Sequence, residues 1–155
     1  MSKSNHSAIE VAEAILYKCN ERKIKNVSNK KLQKLLYYVQ AWGMVLNWEK
    51  VFDDPIEAWV HWPAVKSVYR EYRSFNWEPI KLKIKPSVLD SFSKPELSLI
   101  DEVLDAYWAF DADYLEELTH AEKPWRDARA WIDPAMWTDR EIDLKSMKEY
   151  YSSLV

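Results

Sequence analysis

Glycine is nearly absent from this chain: Gly43 is the single glycine among 155 residues, where average usage of roughly 7% would supply about ten. Loops that cradle phosphate need glycines to bring backbone amides against the ligand, so a nucleotide-binding loop of that kind is excluded. Turns must be built from Asn, Asp and Pro instead. Cysteine is just as scarce. Cys19 alone cannot close an intramolecular disulfide, so the fold does not depend on oxidation. With no helix N-terminus or paired histidine near it in sequence, it reads as a small buried hydrophobe rather than a nucleophile. No GxSxG elbow occurs either. Long apolar runs are missing: the longest uncharged stretch, residues 35–48, is too short to span a bilayer and contains Gln40 and Asn47. Glu10 and Glu13 interrupt the N-terminal segment, so no signal peptide is expected and the predicted location is cytoplasmic, with no membrane partner. A net charge of −3 argues against a surface that is wholly an electrostatic glove for nucleic acid.

What is present in quantity is apolar and aromatic. Hydrophobic residues make up 48% and aromatics 14%, including nine Trp, enough for one domain with a substantial core. No repeat or linker divides the chain, so residues 1–7 are expected to be a flexible tail and residues 8–155 one domain. Capping boxes at Ser7-Ala8-Ile9-Glu10 and Ser93-Lys94-Pro95-Glu96 predict helix starts. The stripe Ala8, Val11, Ala12, Ile15 and Leu16 predicts a first helix to about Lys18. From Ser28, Leu32, Leu35, Leu36, Val39 and Leu46 form one face that Tyr38, Trp42 and Val45 widen, which marks a central helix. Gly43 inside it implies a close approach by another element. Asn47-Trp48-Glu49-Lys50 reads as a turn.

Pro63 suits the first turn of a third helix ending near Ser74. Residues 56–60 and the strictly alternating 80–85 leave room for a short two-stranded β ribbon. Asp111, Pro124 and Thr138 open the remaining helices. The fold class is therefore mainly α: a compact helical bundle of about six or seven helices.

Three constellations invite chemistry. His6 sits in the polar tail and reads as incidental. His61 with Glu57, and His120 with Glu122, would make a two-His, two-carboxylate site if the segments met, suited to a metal-dependent hydrolase. No HExxH or third histidine fixes that geometry, so hydrogen-bonded fold residues are the favoured reading, with no catalytic residue, no metal and no cofactor. Charge is segregated: Arg22, Lys23, Lys25, Lys30, Lys31 and Lys34 form an all-basic run. Residues 101–122 carry eight Asp and Glu with no Lys or Arg. Either the two runs are solvated helix faces or complement each other within the fold, or they steer partners, DNA being the least favoured. The aromatics exceed what a dry core needs, and the surplus points to an exposed binding patch.

The segments Lys31-Leu32-Gln33-Lys34-Leu35-Leu36-Tyr37-Tyr38, Glu57-Ala58-Trp59-Val60-His61-Trp62-Pro63, Tyr69-Arg70-Glu71 and Leu118-Thr119-His120-Ala121-Glu122-Lys123-Pro124-Trp125 together resemble the Panacea domain, the SocA-like antitoxin domain of bacterial and phage toxin–antitoxin pairs. The resemblance runs from about Ala8 to Tyr151. It implies a non-enzymatic protein that neutralises a cognate toxin by direct binding. In the SocA branch it also implies an adaptor that delivers the toxin to an ATP-dependent protease. Tyr37, Tyr38, Trp59, His61, Trp62, Tyr69, His120 and Trp125 are the expected partner-binding residues.

The chain departs from the family pattern at its glycines. Trp62 and Lys123 stand where glycine usually precedes proline, Trp48 stands after Asn47 where a glycine turn is expected, and Asn76 and Trp131 look like two more such positions. Where such a backbone needs positive φ, a side chain costs about 1–2 kcal/mol. At Trp62 and Lys123 an acceptable helix N-cap is also lost.

Overall fold

The computed structural model describes residues 6–46 and 49–155; the turn expected at Asn47 and Trp48 lies outside them. Among the described residues seven α-helices and one two-residue-per-strand antiparallel ribbon make a mainly α fold. They are α1 (Ala8–Glu21), α2 (Asn29–Leu46), β1 (Glu57–Ala58), β2 (Pro63–Ala64), α3 (Lys66–Glu71), α4 (Lys94–Tyr107), α5 (Ala112–Ala121), α6 (Lys123–Ala128) and α7 (Leu144–Ser152). Both capping boxes form: each serine accepts from the N3 amide and each glutamate accepts from the cap amide. Asp111 caps α5 as expected, accepting from the Tyr114 amide at 2.8 Å.

Helix α2 is the axis of the molecule. It packs against α1, α3, α4, α5, α7 and β2, and every residue from Lys31 to Ala41 is buried. Its apolar side chains meet those of α1, α4 and α7 in one continuous core. Burying a whole helix brings polar side chains inside, and these pin the neighbouring loops. Gln40 accepts from the Val51 and Phe52 amides and donates to the Phe52 carbonyl. Gln33 accepts from the Val65 amide at 2.7 Å and donates to Asn29 at 3.0 Å. Gly43 meets its expected neighbour: a Cβ there would lie 2.5 Å from Val51 Cγ2 and 3.2 Å from Leu99 Cδ2.

Three expected elements take other forms. Pro63 belongs to β2 rather than to a helix. The Val65 amide is held by Gln33, so the chain stays extended to Val65 and α3 starts only at Lys66. The ribbon pairs β1 with β2, Glu57 opposite Ala64, and not with residues 80–85. The other edge of β1 is taken by the segment before α7, where Ala58 N–H donates to Arg140 and Ile142 N–H to Ile56, both at 2.7 Å. With both edges occupied, the alternating 80–85 stretch attaches instead through Ile80 N–H to the Val27 carbonyl and through the Asn20 side-chain amide, which donates to the Leu82 carbonyl. The same pairing displaces the cap expected at Thr138. Residues 140–142 are drawn along β1, and α7 begins later, with Asp143 as its N-cap. His6 is not incidental: it is buried, stacks on Phe92 at 4.1 Å and bonds Glu96 at 2.9 Å.

The two oppositely charged runs meet within the fold. Arg22 bonds Asp101 at 2.9 Å and Asp105 at 2.7 Å, and Lys18 joins Asp101 at 3.0 Å, tying α1 to α4. Lys30 bonds Asp113 at 2.8 Å and Glu116 at 2.9 Å, tying α2 to α5. Lys31 is buried, donating to Asn26 and to the Trp108 carbonyl. Arg22, Lys30 and Lys31 of the basic run are thus held by internal partners.

Candidate functional site

The turn between β1 and β2 gathers the aromatic residues. Trp59 sets its ring edge against Tyr69, centroids 5.1 Å apart at 72°, and its indole N–H donates to Glu57 at 2.8 Å. The Trp59 carbonyl accepts from the Trp125 indole at 3.0 Å, which fixes α6 to the turn. His120, near the end of α5, stacks on Trp125 at 4.1 Å and 15°. Burial depresses the His120 pKa, partly offset by a hydrogen bond with the His61 backbone. His61 itself is exposed. Trp62 follows, its ring perpendicular to that of the exposed Trp77, with centroids 6.1 Å apart. Six of the eight expected residues, Trp59, His61, Trp62, Tyr69, His120 and Trp125, therefore share one neighbourhood.

Beside Trp62 a cleft of about 500 Å³ opens between the turn and α5, lined by Ser28, Lys30, His61, Trp62, Trp77 and Asp113 among others. Lys34 lies behind it, its Nζ 4.6 Å from the Trp62 ring centroid, with Lys30 at 5.5 Å. Burial and the like charge of Lys30 pull the Lys34 pKa down to about 7, against the opposing pull of Glu116 and Asp113.

Tyr37 and Tyr38 do not belong to this surface. Both are 0% exposed, because α2 is enclosed on all sides and its tyrosines point into the contact with α7. Tyr38 donates to Glu122 at 2.6 Å and stacks on Tyr107 at 4.1 Å, while Tyr151 donates to Tyr37 at 3.0 Å. Their expected contact role is corrected to a structural one. This also separates the imagined metal ligands. Glu122 is turned inward to the tyrosines, Glu57 is held by Trp59, and no group of three or more His, Cys, Asp or Glu among the described residues is placed to hold a metal ion. Cys19 is buried, and burial pushes its thiol up to about 11, away from nucleophilic use.

A second exposed group lies outside the expected binding residues. Trp131 is 103% exposed, and Met136 and Trp137 stand out from the same loop. Arg129 shapes that loop from inside, donating to the carbonyls of Ala58, Asp133 and Met136. The stretch has no periodicity that would have flagged its side chains as outward. The only available signal was the density of Trp and Met in a Pro- and Asp-containing segment.

The sequence model of the family described as "Antitoxin SocA-like, Panacea domain" matches residues 32–126. The chain belongs to this family. No curated protein and no solved structure matches it. The matched span of the Panacea domain runs from α2 to α6 and contains Lys34, the 59–62 turn, His120 and Trp125. The antitoxin-family domain carries no helix long and apolar enough to cross a membrane among the described residues.

Two of the positions where this Panacea chain lacks an expected glycine carry the backbone that glycine favours: Asn76 at φ 53° and Trp131 at φ 71°. Trp62 and Lys123 do not. The capping argument also lapses at both. Trp62 precedes a strand, and Lys123 is already inside α6, whose N-cap is Glu122.

Proposed function

We propose that this chain is an antitoxin that neutralises a cognate protein toxin by direct binding, acting as a binding protein and not as an enzyme. The observation that carries the reading is the gathering of Trp59, His61, Trp62, Tyr69, His120 and Trp125 around one turn inside the family-matched span. Tyr and Trp anchored on a rigid frame are the residues that dominate protein–protein binding energy. Here the frame is tight. Trp125 and Arg129 hold the turn by its carbonyls, so little ordering remains to oppose association. The partner meets exposed His61 and Trp77 with Trp62 between them, and the Trp131–Trp137 loop extends the apolar contact area.

Co-expression tests this. The open reading frame beside this one should arrest growth alone and cease to do so when this protein is present. Continued arrest in its presence refutes the reading. Toxin abundance in the rescued cells separates two modes: a stable toxin indicates blocking, and a toxin lost only when an ATP-dependent protease is intact indicates delivery for degradation.

A further inference from the structure

Lys34 is a buried cation without a counter-charge. The residue is 0% exposed, and its Nζ has no hydrogen-bond partner among the described residues. A buried ammonium ordinarily finds an acceptor, as Lys31 does on the same helix. The two carboxylates nearest in the fold, Asp113 and Glu116, are committed to Lys30, one turn earlier. What faces Lys34 instead is the Trp62 ring, 4.6 Å away, a cation–π contact that substitutes only in part for an anion. Two further buried polar atoms, Trp62 Nε1 on the turn and His120 Nε2 on α5, have no hydrogen-bond partner among the described residues. Trp62 is half-buried and forms a wall of the 500 Å³ cleft, so its ring stands between Lys34 and the open side.

We propose that the Trp62 cleft is a carboxylate-recognition site in which Lys34 is the partner of the anion and the Trp62 indole is its movable cover. On the reading that this face receives a toxin, the carboxylate is an acidic side chain of that toxin.

A carboxylate is preferred to a phosphate for two reasons. The site offers one ammonium that is not already paired, Lys30 being held by Asp113 and Glu116, and it has no arginine fork or run of backbone amides. Asp113 and Glu116 stand in the same wall and oppose a dianion. The charged groups that face Lys34 are Lys30 on its own helix and Asp113, Glu116 and His120 on α5, with His61 on the turn. Because this environment places Lys34 near its titration point, a carboxylate that selects the ammonium form takes up a proton when it binds above about pH 7. Its affinity then falls by up to about tenfold per pH unit.

The probe is propionate, titrated to about 0.1 M against nitrogen-15-labelled protein with propionamide as the neutral control; a dissociation constant in the millimolar range is expected for so small a ligand. The Trp62 indole resonance, assigned with Trp62→Phe, should shift saturably with propionate and not with propionamide. Lys34→Met should abolish the shift. Trp62→Gly, read from backbone amides, should bind propionate several-fold more tightly because the cover is gone. No saturable shift, or an equal response to propionamide, overturns the site. Should Lys34→Met fail to fold, the pH dependence in the unaltered chain decides: an affinity independent of pH between about 6 and 9 overturns it.

The toxin arm is separate. If propionate binds but Lys34→Met neutralises the neighbouring gene product as well as the unaltered chain does, the assignment of the carboxylate to the toxin is overturned while the site stands. If the unaltered chain fails to neutralise that product, the antitoxin reading falls and the propionate result is unaffected.

Discussion

Tyr38 on α2 donates its hydroxyl proton to Glu122 at the start of α6 across 2.6 Å, in the interior of the protein. This bond joins two family-motif segments that are 84 residues apart. It explains why Glu122, although it is the N-cap of α6, makes no side-chain cap: its carboxylate faces the tyrosines instead. Burial raises the Glu122 pKa, against the lowering effect of the Tyr38 and Tyr151 hydroxyls. A carboxyl group with a raised folded pKa stabilises fully below its unfolded pKa and loses that contribution as pH rises through the folded value. Glu122→Gln, which keeps the acceptor and removes the titration, should therefore gain stability relative to the unaltered chain as pH rises from about 4.5. Tyr38→Phe removes the 2.6 Å donor from the buried carboxyl group and should cost about 1–3 kcal/mol. Urea unfolding of the three proteins across this range checks both.

Lys34 produces the opposite pH slope. Its folded pKa, pulled to about 7, lies below the unfolded value near 10.4. Between those limits the unfolded chain binds a proton that the native chain lacks, so stability rises with pH through this window and the penalty is largest below it. Lys34→Met, with similar volume and no charge, should remove the slope and stabilise the protein at neutral pH by an amount on the order of a few kcal/mol. Chemical denaturation at about pH 6 and about pH 9 measures it. A variant as pH-dependent as its parent would show that Lys34 is not the group responsible.

The sequence revealed the helices more clearly than it revealed which of their faces were free. Two capping boxes, the Asp111 cap and the Leu32 to Val39 stripe announced α1, α2, α4 and α5, because each rests on contacts within about four residues. The ribbon was less legible. The alternation at 80–85 is real, but β1 has two edges and tertiary pairing gave them to β2 and to residues 140–142. Tyr37 and Tyr38 looked like anchors because their chemistry suits an interface. Only the enclosure of α2 by six elements shows that they are inside. Trp62 and Trp131 were both recognisable as misplaced glycines, yet only Trp131 has the strained backbone, a distinction that depends on φ and not on residue type.

Gly43 offers a packing test. Elsewhere in a helix Gly→Ala gains about 1 kcal/mol from propensity, but here the new methyl would lie 2.5 Å from a branched, stiff Val51 side chain and 3.2 Å from Leu99. Overpacking typically costs about 1–3 kcal/mol and should outweigh the gain. Gly43→Ala is expected to lower the melting temperature, and Val51→Ala in the same chain should recover part of the loss. A double-mutant cycle quantifies that coupling. Additive costs would mean that the crowding lies elsewhere.

Trp131 combines a left-handed backbone, φ 71°, with complete exposure. Its side chain buries nothing in the isolated protein, while its Cβ raises the energy of that conformation by about 1–2 kcal/mol. Trp131→Gly should therefore stabilise the fold, by about 1 kcal/mol once the greater freedom of glycine in the unfolded chain is subtracted. Trp62→Gly should bring no such relief of backbone strain, because Trp62 has no positive φ and the change removes the ring that contacts Lys34 at 4.6 Å. The pair of variants, compared by thermal unfolding, thus separates backbone strain from side-chain cover. Co-expression adds the functional half. A strained, fully exposed tryptophan is costly to keep unless a partner covers it, so a more stable Trp131→Gly protein should neutralise the adjacent toxin less well. Equal neutralisation would remove the 131–137 loop from the binding surface and leave the Trp59–Trp62 turn to carry it.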